Sequence, residues 1–385
     1  MAMYNRLLNI DLPKNQSAFL WGPRKTGKST YLKQKYRNSI YIDLLQTDIY
    51  MKYLKNPSRL REELTAADEK KLKYPVIIDE VQKVPFLLDE IHWLIENRGI
   101  NFILSGSSAR KLKRGKANLL GGRAWRYTML PLTTKEIGNF KLLEVLNKGL
   151  IPSHYLSSNY KKSIQSYIVD YLKEEVFDEG LTRNIPAFSR FFDTLRFSNA
   201  ELTNFTNIAQ ECGIDAKTVK EYYRILSDTL LGTFIEPYKR RQDRNVIMKA
   251  AKFYLFDVGI AGQLSKRNLT EEKGEEFGKA LEHFILMELT AYNSYNEKDY
   301  EINFWRTKSG REVDFILDNG KIAIEVKGTG DVTNKNLGNL FAFKNEYKPK
   351  RSILVCNENI PRNVNGIEIM PIKLFLTKLW NEEII

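Results

Sequence analysis

The segment Gly22-Pro23-Arg24-Lys25-Thr26-Gly27-Lys28-Ser29 follows the pattern G-x-x-x-x-G-K-[ST]. It stands directly after an apolar run, Ala18-Phe19-Leu20-Trp21, and directly before a helix-like stretch. A strand apolar on both faces needs cover on both sides, so strand, glycine-rich loop and helix in that order belong to a layered α/β domain. The glycines let the backbone curl until its N–H groups face a bound phosphate, and the helix N-terminus adds a positive end at the same place. Residues Gly22 to Thr30 are therefore the expected cradle for the phosphates of ATP. Within it Lys28 places a point charge on the β- and γ-phosphates, and the Ser29 hydroxyl is offered to Mg²⁺.

A second segment completes such a site. Val76-Ile77-Ile78-Asp79-Glu80 is an apolar strand ending in two carboxylates. Asp79 suits the Mg²⁺ shell, and Glu80, one residue on and directed to the other side of the strand end, suits a general base that orients the attacking water. Ser105 and Ser107, at the end of the run Phe102-Ile103-Leu104, are placed to meet the γ-phosphate, or simply form the turn that leaves a strand. Arg123, after Leu119-Leu120-Gly121-Gly122, reads equally as an arginine finger toward a neighbouring subunit and as a phosphate-clamping or structural arginine behind a Gly-rich turn.

The chain of 385 residues is long enough for two or three domains. Its first residues lack the apolar core of a signal peptide, and no stretch approaches the roughly 18 apolar residues of a membrane span, so a cytoplasmic protein without a membrane contact is expected. Cys212 and Cys356 lie far apart, which argues against a disulfide framework or a Cys-based zinc site. The 60 Lys and Arg residues exceed the 47 Asp and Glu, leaving a net charge of +13 suited to phosphate backbones. Two stretches concentrate it. Residues 110–126 hold Arg110, Lys111, Lys113, Arg114, Lys116, Arg123 and Arg126 with no acid, and residues 239–252 hold six basic residues against Asp243. Both are expected DNA contacts, with ordinary solvated faces as the other reading.

Short apolar runs alternate with helical stretches up to about residue 150, the pattern of a parallel sheet. From 151 to 245 the spacing is helical, and from 246 to 385 mixed, with a helix over Glu275–Tyr292 followed by strands Arg311–Leu317, Lys321–Lys327 and Arg351–Asn357.

The segments GPRKTGKST (22–30), VIIDEVQ (76–82), ILSGSSARKLKRG (103–115), NLLGGRA (118–124) and MLPLTTKEI (129–137) resemble prokaryotic AAA-type ATPases that carry a C-terminal domain of unknown function. The resemblance spans nearly the whole chain. It implies an α/β fold with a P-loop AAA-type ATPase domain over 1–150, a winged-helix middle domain over 151–245, and a restriction-endonuclease-like α/β domain over 246–385.

The middle segment supports that expectation by its own pattern. Residues Thr203–Lys220 read as helix, Gly-containing turn, helix, with Asp215 as N-cap and Ile208, Ala209, Ile214, Val219 and Tyr223 as the buried seam. Lys217, Thr218, Lys220 and Arg224 then lie on the open faces of the second helix, and Lys239-Arg240-Arg241 falls where a wing would sit. Such an element binds DNA or serves as a protein contact or hinge.

In the last domain Asn319-Gly320 is a strong signal for a two-residue hairpin loop. That register opposes Asp314 to Glu325 and Glu312 to Lys327, and puts Val313, Phe315 and Leu317 on one face with Ile322, Ile324 and Val326. Two carboxylates across a strand pair, roughly 5 Å apart at Cβ, repel unless a cation lies between them. The order Asp314, ten residues, Glu325, one residue, Lys327, after a helix bearing Glu282, is similar to the PD-(D/E)XK nuclease core. The resemblance implies Asp314, Glu325 and Glu282 as metal ligands and Lys327 as the activator of water. A solvent-facing ladder with Glu312 paired to Lys327 is the other reading. Together these features predict a Mg²⁺-dependent ATPase acting on or near DNA, with assembly as a homo-oligomer a further expectation. The alternative is a nucleotide-controlled protein-interaction switch with an inactive nuclease-like tail.

Overall fold

The computed structural model describes residues 4–110, 112, 120–172, 185–239 and 251–385. The chain divides into two compact units. The first comprises Arg6–Pro131 with Ile225–Leu231, and the second Met1–Asn5, Leu132–Arg224 and Gly232–Ile385.

The first unit is built on five strands, β1 (Ser17–Trp21), β2 (Tyr41–Asp43), β3 (Val76–Asp79), β4 (Phe102–Gly106) and β5 (Ala124–Thr128), in the order β2-β3-β4-β1-β5. Every pairing is parallel. β1, β3 and β4 are buried along their whole length, as the unbroken apolar runs require. Helix α1 (Lys28–Lys35) follows β1, and helix α2 (Leu87–Arg98) lays Leu87, Leu88, Ile91, Leu94 and Ile95 into a core shared with Phe19, Ile78 and Leu104. The parallel register aligns the carboxyl ends: Trp21 pairs with Gly106, Ser105 with Asp79, and Asp79 with Asp43. In an open α/β sheet that edge is where ligands bind.

The second unit contains a nine-stranded mixed sheet. Its strands are β6 (Glu201–Leu202), β7 (Gly232–Pro237), β8 (Lys252–Leu255), β9 (Ile302–Arg306), β10 (Glu312–Leu317), β11 (Ile322–Lys327), β12 (Arg351–Cys356), β13 (Arg362–Val364) and β14 (Ile367–Pro371), in the order β13-β14-β12-β11-β10-β9-β7-β8-β6. Helices α3 (Ile185–Ser198), α4 (Phe205–Cys212) and α5 (Ala216–Asp228) run between the earlier helical segments and β7. Asn204 caps α4 by accepting from the amides of Thr206 and Asn207, and Asp215 accepts from the amide of Thr218 at 2.8 Å, so both helix starts are specified locally. Ile208, Ala209, Val219 and Tyr223 are buried between them, while Ile214 is half-buried.

Sequence spacing separates a middle domain at 151–245 from a last domain at 246–385. The sheet joins them. β7 pairs with β8 antiparallel and with β9 in parallel, so the strands around α4 and α5 continue into the sheet formed by residues 302–371. The change of unit falls at Pro131–Leu132, ahead of the expected 150, and the 245 boundary lies outside the described residues. Helix α6 (Glu275–Tyr295) packs against β11, and helix α7 (Asn334–Tyr347) covers Trp305, Val313, Ile316 and Ala323.

Candidate functional site

Two groups of polar side chains stand out, one in each unit. In the first, the loop after β1 is held from several sides. A Cβ on Gly22 would come within 2.4 Å of the Met129 carbonyl oxygen, so that position tolerates only glycine. Gly27 takes φ +98° where α1 begins. Buried Thr26 donates from its hydroxyl to the Pro23 carbonyl at 2.8 Å. Arg6 donates to the carbonyls of Thr26 at 2.6 Å and Leu130 at 2.7 Å, bracing the loop against the chain that leaves β5. Pro23 is buried, whereas Arg24, Lys25 and Thr30 are exposed at the rim. The Lys28 ammonium donates to the carbonyls of Gly22 at 2.7 Å and Pro23 at 3.0 Å, which fixes a buried positive charge inside the loop.

Asp79 faces this loop region from β3. Its carboxylate accepts from the Tyr41 hydroxyl at 2.6 Å and from the Ser105 hydroxyl. Ser29 lies beside the same Tyr41, which thus stands between the loop serine and the strand carboxylate. Burial, and then the neighbouring Asp79 charge, hold the Tyr41 phenol far above its usual range. Glu80 occupies a left-handed conformation, φ 60° and ψ 43°, unusual for a side chain without a special reason. That turn sends its carboxylate to the Gln82 amide, which also donates to the Ser107 hydroxyl at 3.4 Å. The two serines thus part company: Ser105 serves Asp79 and Ser107 stands in the Glu80 network. Gly106 between them gives Gln82 its room, since a Cβ there would lie 2.2 Å from the Gln82 oxygen and 2.8 Å from the Trp21 ring.

Arg123 lies elsewhere. Its carbonyl accepts from the Ser17 amide at the start of β1, one strand length, roughly 17 Å, from the loop that follows Trp21. Its guanidinium pairs with Glu96. It therefore has no part in the site of its own chain. Of the basic run at 110–126, residues 111 and 113–119 lie outside the described residues, and Arg110 is buried in an ion pair with Asp228. Arg126 is exposed.

The second group centres on β10 and β11. Their register agrees with the hairpin expectation, Phe315 pairing Ile324 and Leu317 pairing Ile322. The loop does not: residues 318–321 connect the strands, with positive φ at Asp318, Asn319 and Gly320. The ladder is also interrupted where the carboxylates sit. The pairing of β10 with β9 shifts by one residue between Val313 and Ile316, a bulge that re-aims Asp314. Val313 consequently joins Ile316 and Ala323 in one apolar cluster, whereas simple alternation puts it with Phe315. The Asp314 carboxylate accepts from the Val326 amide at 2.7 Å.

Glu312 does not pair with Lys327. It pairs with Arg306 at 2.7 Å and with Lys252 at 2.5 Å, which removes the solvent-facing ladder as an account of this strand pair. Lys327 pairs with Glu325 at 2.6 Å instead. Lys252, expected on a basic surface, is 4% exposed and also contacts Glu282 at 3.1 Å. Tyr254, two residues along the same face of β8, donates to the same Glu282 oxygen at 2.5 Å. The remainder of that basic run, 240–250 with Arg240 and Arg241, lies outside the described residues; Lys239 is exposed.

Three of these acids, Asp314, Glu282 and Glu325, are electrostatically coupled. Burial, and then Glu325, push the Asp314 carboxyl up to about 7; burial, and then Asp314, push Glu282 up to about 7. Burial raises Glu325 as well, against the pull of Lys327. One Glu325 oxygen accepts a long bond from Asn339 at 3.5 Å, and the other, buried, accepts none among the described residues. Among the described residues no three His, Cys, Asp or Glu side chains converge as a ready metal-ligand set. Two ammonium groups stand among these acids.

Sequence reasoning did not find Arg6, Tyr41, Gln82, Lys252 or Tyr254. Nothing in a strand tyrosine or a run of basic residues marks it as facing a carboxylate. The pairing Tyr41 to Ile77, which brings β2 beside β3, is what delivers Tyr41.

Residues 14–138 match the AAA domain family profile. With the loop, Lys28 and Asp79 in place, the assignment is direct. The first unit carries a P-loop domain of the AAA ATPase type. Residues 139–271 and 277–375 match two further profiles, a domain of unknown function (DUF8612) and a domain of unknown function (DUF4143). An uncharacterized protein of Methanocaldococcus jannaschii is 24% identical over 361 residues, 86% of this chain and 79% of that protein. An uncharacterized protein of Haemophilus influenzae is 22% identical over 386 residues, 91% of each. The Aeropyrum pernix ORC1 protein, solved in complex with DNA, aligns with 65% of this chain and 86% of its own at 12% identity and a TM-score of 0.24, too distant a superposition to bear on the fold. Among the described residues no helix is long and apolar enough to cross a membrane.

Proposed function

We propose that the chain is a Mg²⁺-dependent ATPase whose second unit works on or beside DNA. The observation that carries the first half is the meeting of Lys28, Ser29, Asp79 and Glu80 at the carboxyl edge of a parallel sheet. The loop amides and the Lys28 ammonium bind the phosphates. Ser29 and Asp79 offer hard oxygen donors that already share Tyr41, so they fit Mg²⁺, which when bound neutralises charge on the β- and γ-phosphates. Glu80 accepts the proton of the attacking water, with Gln82 and Ser107 fixing its direction. Any action of Arg123 as an arginine finger is toward a second copy of the chain.

The DNA half rests on charge and element order. Residues 185–255 follow the order helix, strand, helix, helix, strand, strand of a winged helix, with β6 and β7 flanking β8. Lys217, Lys220 and Arg224 are exposed on α5. The last part of the unit is read as a PD-(D/E)XK-like domain, in which Asp314, Glu325 and Glu282 would hold a divalent ion and Lys327 would assist water; the donor-free buried oxygen of Glu325 fits a cation.

One observation favours the second reading, a nucleotide-controlled protein-interaction switch with a silent tail: Glu282, Glu312 and Glu325 already hold lysine ammonium groups. The ATPase rate with and without single-stranded, duplex and branched DNA separates the two. Stimulation that fades as salt rises supports the DNA reading, because phosphate contacts release counterions. A rate indifferent to all three DNAs at low salt supports the switch.

A further inference from the structure

We infer that Lys252 is a tethered competitor for the divalent ion of the carboxylate cluster, so that strand β8 sets the metal affinity of that site. The inference rests on the reading of Asp314 and Glu325 as metal ligands.

An ammonium group buried to 4% exposure is tolerated only where acids surround it. Lys252 meets that condition with Glu312 at 2.5 Å and Glu282 at 3.1 Å, and its ammonium lies 5.6 Å from the centre of the Phe304 ring. The side chain therefore does what a bound cation would do for these acids. It also restrains one of them: the same Glu282 oxygen takes donors from Lys252 and Tyr254. A divalent ion drawn to Asp314 and Glu325 would meet a like charge beside it and find that oxygen of Glu282 engaged.

A lysine that merely positions Glu282 would have the opposite signature. Removing a positioning residue weakens metal binding, and removing a competitor strengthens it. The test is Mn²⁺ binding to the full nucleotide-free chain by titration calorimetry, with Asp314→Asn as the measure of binding elsewhere. Lys252→Gln leaves Glu312 with Arg306 alone, so the double variant Lys252→Gln/Glu312→Gln is measured beside it to guard against misfolding. Asp314-dependent Mn²⁺ binding at least tenfold tighter in the folded variants than in the unaltered chain is the expected result. Unchanged or weaker binding in the folded double variant overturns the role of Lys252 while leaving the metal reading intact. Absence of any Asp314-dependent binding, in the unaltered chain and in both variants, overturns the metal reading and this inference together.

Discussion

The two acid-bearing sites are held together in different ways. At the P-loop, Asp79 is held by hydroxyl groups, from Tyr41 and Ser105, and the positive charge stands apart on Lys28 within the loop. In the second unit, Glu282, Glu312 and Glu325 are held by the ammonium groups of Lys252 and Lys327. A hydroxyl can turn from donating to accepting, so the first site takes a cation without expelling a charge. The second has to release or outcompete one. On the proposed reading the first is ready for its ligand, and the second must first give up an ammonium group.

The largest effect that sharpens this contrast is at Lys327. Glu325 is 1% exposed, and removing one partner of a buried pair leaves an uncompensated charge. Because the Lys327 side chain is 34% exposed, Lys327→Ala should lower the stability of the chain by about 2 kcal/mol in denaturant unfolding, less than for a fully buried pair, with Mn²⁺ restoring part of the loss. A loss within experimental error would show that Glu325 does not depend on an ammonium group.

The next effect concerns a buried acid with no cation paired to it among the described residues. Glu288 accepts from the Thr134 amide and hydroxyl, both at 2.8 Å, and from the Trp380 indole at 2.6 Å. Burial nevertheless pushes its carboxyl up to about 7. The folded chain then keeps a proton that the unfolded chain gives up above about 4.3, the ordinary glutamate value. Stability is fullest below that value and falls as pH rises toward 7. Unfolding midpoints at pH 5, 6, 7 and 8 should show the fall, and Glu288→Gln should make it shallower, the remainder belonging to Asp314 and Glu282, both also raised to about 7. An equally steep fall in the variant would assign the effect to other raised carboxyls, such as Asp257 at about 6.

The smallest effect belongs to the hydroxyl-held site. Tyr41→Phe removes one donor to Asp79, worth about 1 kcal/mol net. Affinity for Mg²⁺-ATP should weaken by about fivefold, read by fluorescent-nucleotide competition. A hundredfold loss would mean that Tyr41 is a direct part of the metal shell, and the contrast between the sites would need revision.

How far each site can be read from the chain follows from the same contrast. The phosphate loop is contiguous, and Gly22, Gly27, Lys28 and Ser29 carry their chemistry in their spacing. Asp79 ends an apolar strand and is marked by that. Tyr41 is invisible because a strand tyrosine is ordinary, and only parallel pairing of β2 with β3 gives it a partner. In the second unit the hairpin register is legible, because the four-residue loop centred on Asn319-Gly320 keeps the alignment a two-residue loop would give. The bulge between Val313 and Ile316 is not: no glycine or proline marks it, and it depends on β9. Lys252 looks like the end of a basic surface run, since composition does not tell which way a strand residue faces. The caps Asn204 and Asp215 announce α4 and α5 locally, whereas the fusion of their strands with the last sheet depends on the long-range pairing of β7 with β9.

The central claim is that the first unit binds ATP through Lys28 and hydrolyses it through Glu80. Its most direct test measures ATP binding and turnover together in Lys28→Ala and Glu80→Gln. Lys28→Ala should lose binding, and Glu80→Gln should keep it while turnover falls by about 10²-fold or more, the usual contribution of a general base. Near-normal hydrolysis in both variants would contradict the account.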